Sequence, residues 1–238
     1  MNKKWEVCQS NKEQVGKLVK QSNLSPLLVR ILINRNIITA QQVELFLNPT
    51  RNDFHNPFLM PDMDKAVNRI LQAIENQEKV IIYGDYDVDG ITSITVLKKF
   101  LADRGLEVGE YTPNRLDEGY GLNKEAIKKI RKQGYTLMIT VDCGISGIEE
   151  IAYSMELGME VIVTDHHEPG EEIPNCLAVI DAKRKDNQYP CRDLAGVGVV
   201  FKLIQAIRYK TWFRRKRVSE IFRYCMCRNN IRYCTISR

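Results

Sequence analysis

The sequence predicts an α/β fold: a parallel sheet with flanking helices, preceded by a small helical region. Three observations point to it. From Lys79 onward, short apolar runs rich in β-branched residues alternate with amphipathic stretches of about 10–15 residues, the pattern of βαβ units. Residues 1–60 carry helix-start signals and no such runs. At 238 residues the chain is long enough to bury a real core.

The elements follow in order. Ser25-Pro26 offers a cap and a first-turn proline for a helix with Leu27, Leu28, Ile31 and Leu32. Thr39 is placed to cap a second helix carrying Val43, Leu45, Phe46 and Leu47, which Asn48-Pro49 ends. The stretch from Asn52 to Pro61, with two prolines, reads as a linker. Ala66, Val67, Ile70, Leu71 and Ile74 share one face of a helix over 64–77. Strands are then expected at 79–84, 107–111, 136–141, 159–164 and 176–180, with helices at about 91–104, 123–133, 147–157 and 194–207 between and after them. The strand at 136–141 is apolar enough to be central. The expected organisation is a helical region with linker over 1–60, an α/β domain over 61–207, and a basic tail over 208–238.

Composition narrows the class. Charged residues are 27% and hydrophobic residues 44%, ordinary for a soluble globular protein. No apolar run approaches the roughly 18 residues of a membrane span, and no apolar stretch of signal-peptide type follows Lys3-Lys4. Seven cysteines at irregular spacing do not suggest a disulfide framework, so a reducing, cytoplasmic location is expected. The net charge of +5 belongs to the tail: from Arg208 on, ten basic residues face one acid, Glu220. The body before it is net negative and offers no bulk attraction for nucleic acid.

The chemistry gathers at strand ends. The first strand ends in Asp85-Tyr86-Asp87-Val88-Asp89-Gly90, the third in Asp142-Cys143-Gly144, the fourth in Asp165-His166-His167. In an open α/β sheet the carboxyl ends of the strands line one crevice, so these residues can meet. Several carboxylates and two imidazoles suit two Mn²⁺ or Mg²⁺ ions sharing a carboxylate. A calcium loop would need a glutamate where Val96 stands and a helix where the first strand stands. A phosphatase with a strand-end aspartate nucleophile would leave the histidines unexplained. Two adjacent side chains point apart, so at most one histidine is expected to bind metal, and the other can touch substrate.

These motifs resemble the DHH phosphoesterase superfamily, and within it the RecJ single-strand-specific 5′→3′ DNA exonucleases. The resemblance runs from about Leu24 to Ile207. It includes Pro113-Asn114-Arg115 with Glu118-Gly119-Tyr120-Gly121-Leu122, and Asp181-Ala182-Lys183-Arg184 with Tyr189-Pro190. It also includes Leu194-Ala195-Gly196-Val197-Gly198-Val199 with Phe201-Lys202-Leu203, and the leader segments Leu24–Leu28 and Phe46–Pro49. It implies that Asp87, Asp89, Asp142 and His166 bind Mn²⁺ or Mg²⁺, two ions in the intact family, with Asp142 as the bridge. Asp85 and Asp165 then stand behind the ligands, and His167 meets the scissile phosphate. Arg115 and Arg184 read either as phosphate contacts or as surface ion pairs. Gly196 and Gly198 either admit substrate to the backbone or shape a turn. The implied activity is metal-dependent hydrolysis of single-stranded DNA in repair and recombination, by a monomer with no membrane partner. The alternatives are a DHH-type nanoRNA or nucleotide phosphoesterase and an inactive fragment.

The tail departs from the family pattern. RecJ proteins continue further, with a fourth metal motif resembling Gly-Thr-Ile-Ser-Asp-Ile-Val-Pro and then substrate-binding domains. With plausible A/T-rich codons, the tail from Arg223 read one base later becomes Asp-Ile-Val-Cys-Val-Gly-Thr-Ile-Ser-Asp-Ile-Val-Pro-Tyr. The expectation is therefore a chain truncated and frameshifted near residue 208, with weakened activity. The nucleotide sequence around codon 208 tests it. Cys225, Cys227 and Cys234 lack a fourth zinc ligand and read as incidental.

Overall fold

The computed structural model describes residues 11–114, 119 and 121–211. These divide into two compact units, with the break between Phe54 and His55. The first contains α1 (Lys12–Ser22), α2 (Pro26–Ile33) and α3 (Ala40–Leu47). Each has the cap its sequence offers: Asn11 accepts from Glu13 and Gln14 amides, Ser25 from Leu28, and Thr39 with Gln42 forms a reciprocal capping box. Leu18, Val29, Leu32 and Val43 form their core.

In the second unit, α4 (Met63–Asn76) precedes β1 (Lys79–Gly84), α5 (Val88–Ala102), β2 (Glu107–Tyr111), α6 (Lys124–Lys132) and β3 (Leu137–Val141). α7 (Ile148–Glu156), β4 (Glu160–Thr164), β5 (Ala178–Ile180) and α8 (Gly196–Thr211) follow. The expected linker reaches into this unit. Pro57 and Met60 are buried, and the Lys202 ammonium on α8 donates to the His55 carbonyl at 3.1 Å.

All five strands are parallel, in the order β2-β1-β3-β4-β5. Every residue of β3 is buried, as its apolar run requires. One face, with Ile81, Tyr83, Met138, Val161, Val163 and Val179, packs on Ile127, Ile130 and Ile151 of α6 and α7. α8 packs on both α4 and α5, and all three pack on the sheet. On the α5 side Gly84 has no room for a side chain: a Cβ there would stand 2.7 Å from both Ile94 and Val141.

The two edges of the sheet differ in charge. At the amino edge, buried Arg69 of α4 holds Glu78 through two bonds (2.6 and 3.2 Å) and Glu160 through a third (2.6 Å), tying α4 to the starts of β1 and β4. At the carboxyl edge, strand order reverses between β1 and β3, which opens the crevice where α/β sheets bind ligands. Among the described residues no helix is long and apolar enough to cross a membrane.

The central strand sets stability. Ile139→Ala should destabilise the chain by about 2–5 kcal/mol and Ile139→Val by about 0.5–1.5 kcal/mol, read by denaturant unfolding.

Candidate metal centre

The register builds the site. Gly84 of β1 pairs with Val141 of β3, Val141 with Thr164 of β4, and Thr164 with Ile180 of β5. The next residue on each strand is an aspartate: Asp85, Asp142, Asp165 and Asp181. Four carboxylates therefore stand in one buried row. The first three were expected from sequence. Asp181 was missed as a site residue, although it directly follows the fifth expected strand.

The aspartate triplet is a helix start as well as a loop. Asp87 caps α5, its Oδ1 accepting from the amides of Asp89 (2.6 Å) and Gly90 (3.0 Å). A Cβ on Gly90 would collide with the Asp85 carbonyl, so this turn of α5 lies directly on the strand end. Asp89 is buried inside the helix, and its Oδ2 and Oδ1 accept from the Gly196 and Val197 amides at the start of α8, both at 2.9 Å. That pairing places a carboxylate at the positive end of a helix. A Cβ on Gly196 would strike the Asp142 carboxylate. Gly196 is thus glycine because α8 starts against Asp142.

Asp142 sits in the left-handed region, at φ 59°, a conformation costing a non-glycine residue about 1–2 kcal/mol. Its amide is held by the Thr164 carbonyl at 3.0 Å, and Thr140 Oγ1 donates to the Cys143 carbonyl at 2.9 Å. His166 Nε2 lies 3.0 Å from Asp142 Oδ1 and 3.8 Å from Asp89 Oδ2. The first pair is close but off the line a hydrogen bond needs, and Asp142 Oδ1 is a buried acceptor with no hydrogen-bond partner. Burial pushes the Asp142 carboxyl up to about 6, with the negative charges of Asp89 and Asp87 acting the same way against His166.

Asp165 is fully used. Oδ1 accepts from the amides of His166 (2.7 Å) and His167 (3.2 Å) and faces His167 Nδ1 at 2.7 Å, while Oδ2 accepts from the Ile145 amide at 2.9 Å. Burial opposes its charge, yet His167 and these amides hold its pKa below the usual carboxylate value. The same bond raises the pKa of His167. His167 borders a cavity of about 400 Å³ with Gly144, Ser146, Glu150 and Glu168.

Two groups have donor atoms within 4.8 Å of one another: Asp85, Asp87 and Asp142; and Asp142, His166 and His167. Asp142 belongs to both. The geometry bears on three expectations. Asp85, expected behind the ligands, has an oxygen in the first of these groups. Asp89, expected to bind metal, is in neither group: its oxygens accept from the α8 amides, and Oδ2 lies 3.8 Å from His166 Nε2. Asp165 stands behind His167 rather than His166. Arg184 makes the ion pairs of its second reading: its guanidinium bonds Asp62 (2.7 Å), the Val179 carbonyl (2.6 Å) and both oxygens of Asp186 (2.9 and 2.7 Å). Arg115 and the tail cysteines lie outside the described residues. Hard oxygen donors with imidazole, and an unpartnered buried oxygen on the shared carboxylate, fit Mn²⁺ or Mg²⁺.

Comparison with known proteins agrees. Residues 79–227 match the DHH family, N-terminal domain. The chain belongs to the DHH family. Over 204 residues it is 44% identical to the single-stranded-DNA-specific exonuclease RecJ of Bacillus subtilis (strain 168), covering 86% of this chain and 26% of that protein. The Escherichia coli (strain K12) RecJ is 33% identical over 206 residues, covering 83% and 34%. Among solved structures, an exonuclease RecJ bound to manganese is 34% identical with TM-score 0.59, covering 66% of this chain and 40% of that one. The Thermus thermophilus RecJ in complex with Mn²⁺ is 25% identical with TM-score 0.69, covering 88% and 29%. This DHH chain spans about a quarter to a third of the length of these curated relatives.

The packing and charge of the row have two measurable consequences. Gly196→Ala should disrupt the α8–Asp89 contact and lower the melting temperature more than Gly16→Ala, whose Cβ would meet nothing within 4 Å. Metal-free, the chain should lose stability as pH rises. Asp142 at about 6 and Asp181 at about 7 hold protons more tightly folded than at their ordinary 3.8, so the folded state binds more protons between about pH 4 and 7. The raised His167 acts in the same direction and the lowered His55 against it. Melts in chelator should fall from about pH 5 to about pH 8, and Asp181→Asn should flatten that slope.

Proposed function

We propose that this DHH domain hydrolyses phosphodiester bonds of single-stranded DNA from the 5′ end, with Mn²⁺ or Mg²⁺, in repair and recombination. The observation that carries the reading is Asp142: it is the one carboxylate common to both donor groups, and its Oδ1 is buried without a hydrogen bond. The single-stranded DNA substrate comes from the likeness to the single-stranded-DNA-specific exonucleases, and the 5′ polarity from the motif resemblance to that family.

Asp85, Asp87 and Asp142 would hold one ion, and Asp142 with His166 the other. Bound there, such ions supply Lewis acidity at the attacking and departing oxygens of an in-line displacement. The chain's own residues do the rest. Asp142 is fixed before substrate arrives by its amide bond to Thr164 and by the start of α8. Asp89 anchors that helix start, so its role here is to position Asp142. His167 donates Nδ1–H to Asp165, which turns Nε2 away from that carboxylate, and its raised pKa favours the imidazolium, a donor suited to a phosphate oxygen. Asp165 holds that ring and both histidine amides, so the two imidazoles are preorganised together.

The test is digestion of 5′-labelled single-stranded DNA with Mn²⁺. The parent should release label in a metal-dependent way, and Asp142→Asn should lower the rate by at least about 100-fold. Equal background signal from both would remove the reading. Hydrolysis of dinucleotides without attack on longer DNA would favour a nanoRNA phosphoesterase instead.

A further inference from the structure

Two consecutive histidines follow the third aspartate of the row, and only His167 has a carboxylate bonded at Nδ1. Asp165 Oδ1 meets His167 Nδ1 at 2.7 Å, but it meets His166 only through the backbone amide. The His166 ring turns Nε2 toward Asp142 and Asp89. An imidazole that uses Nε2 as a ligand normally donates its Nδ1–H to a carboxylate or carbonyl, which fixes the tautomer and the ring.

The neighbouring strand carries an unused carboxylate. Asp181 follows β5 at the register where Asp165 follows β4, and the Asp165 amide bonds to the carbonyl of Ile180 at 3.1 Å. Asp181 is fully buried. Oδ1 accepts from the Lys183 amide at 2.7 Å, while Oδ2 is a buried oxygen with no hydrogen-bond partner. Buried carboxylate oxygens are rarely left so. Burial raises its carboxyl to about 7, Asp165 pushes it further, and the His166 charge is near enough to pull it back.

We propose that Asp181 is the positioning residue of His166, its Oδ2 receiving the imidazole's Nδ1–H. Two adjacent strands then serve two adjacent histidines: Asp165 orients His167, and Asp181 orients His166. The proposal supplies the partner that Oδ2 lacks, and explains why a fourth carboxylate is buried in a row already crowded with negative charge. It rests on the reading of His166 as a metal ligand, but the orientation of the ring can be observed without metal.

The experiment uses the full ¹⁵N-labelled chain in chelator at about pH 8, above the value of about 7 for Asp181. Long-range ¹H–¹⁵N spectra report each histidine tautomer. The parent His166 should be the Nδ1–H tautomer, and an Nε2–H tautomer there overturns the proposal at once. Asp181→Leu should abolish that preference at His166 and leave His167 unchanged. Asp181→Asn, which keeps an acceptor oxygen, should retain most of it. If leucine prevents folding, Asp181→Ala withdraws the acceptor and is read the same way. A folded variant lacking the acceptor with an unchanged His166 tautomer overturns the proposal. Mn²⁺ calorimetry gives a second readout: Asp181→Leu should weaken binding by about 10–100-fold, with partial recovery in Asp181→Asn, and unchanged affinity overturns the proposal as well. Failure of the metal reading looks different: the parent itself binds no Mn²⁺, while the tautomers still decide the role of Asp181.

Discussion

Four parallel strands ending in register on four buried aspartates is the constraint on which the rest depends. Like charges this close raise each other's pKa and oppose folding unless something offsets them. The chain offsets them unequally. Asp165 is satisfied by three amides and an imidazole, and the neighbouring Asp89 by the first amides of α8. Asp142 and Asp181 each keep an unpartnered oxygen and are pushed to about 6 and about 7. Of these two, Asp142 stands where the strand order reverses, and there the proposed ions would neutralise its charge.

The same constraint explains the glycines and the strain. α8 reaches Asp89 only because Gly196 has no Cβ to strike Asp142, and α5 rests on Asp85 only because Gly90 has none. Asp142 accepts a left-handed backbone because Thr164 and Thr140 hold the chain on either side. Strain of this kind persists where the surroundings over-determine it, as at binding sites. The amino edge is handled otherwise, with Arg69 pairing the carboxylates there.

Much of this was legible in the sequence, for identifiable reasons. The strands were legible because β-branched runs such as Val80–Ile82 and Met138–Val141 have no other stable burial. Asp85, Asp142 and His166 were legible because a strand's carboxyl end is visible as the end of such a run. What depends on distant partners was not. Asp89 meets amides 107 and 108 residues away, and Arg184 meets Asp62 122 residues away. No local pattern encodes either pairing. α5 starts at Val88 rather than near 91 because Asp87 serves as its cap, a second use of a residue that resembles only a ligand. Asp181 escaped because β5 is short and its aspartate leads into Ala182-Lys183-Arg184, which draws attention to the cations instead.

The central claim is that Asp142 is the shared carboxylate of a two-ion centre. Anomalous diffraction from a Mn²⁺-soaked crystal, collected at the manganese edge, tests it most directly. The account predicts two peaks flanking the Asp142 carboxylate, one beside Asp85 and Asp87 and the other beside His166, with both absent in Asp142→Asn. Strong peaks elsewhere, or none within bonding distance of Asp142, would contradict it.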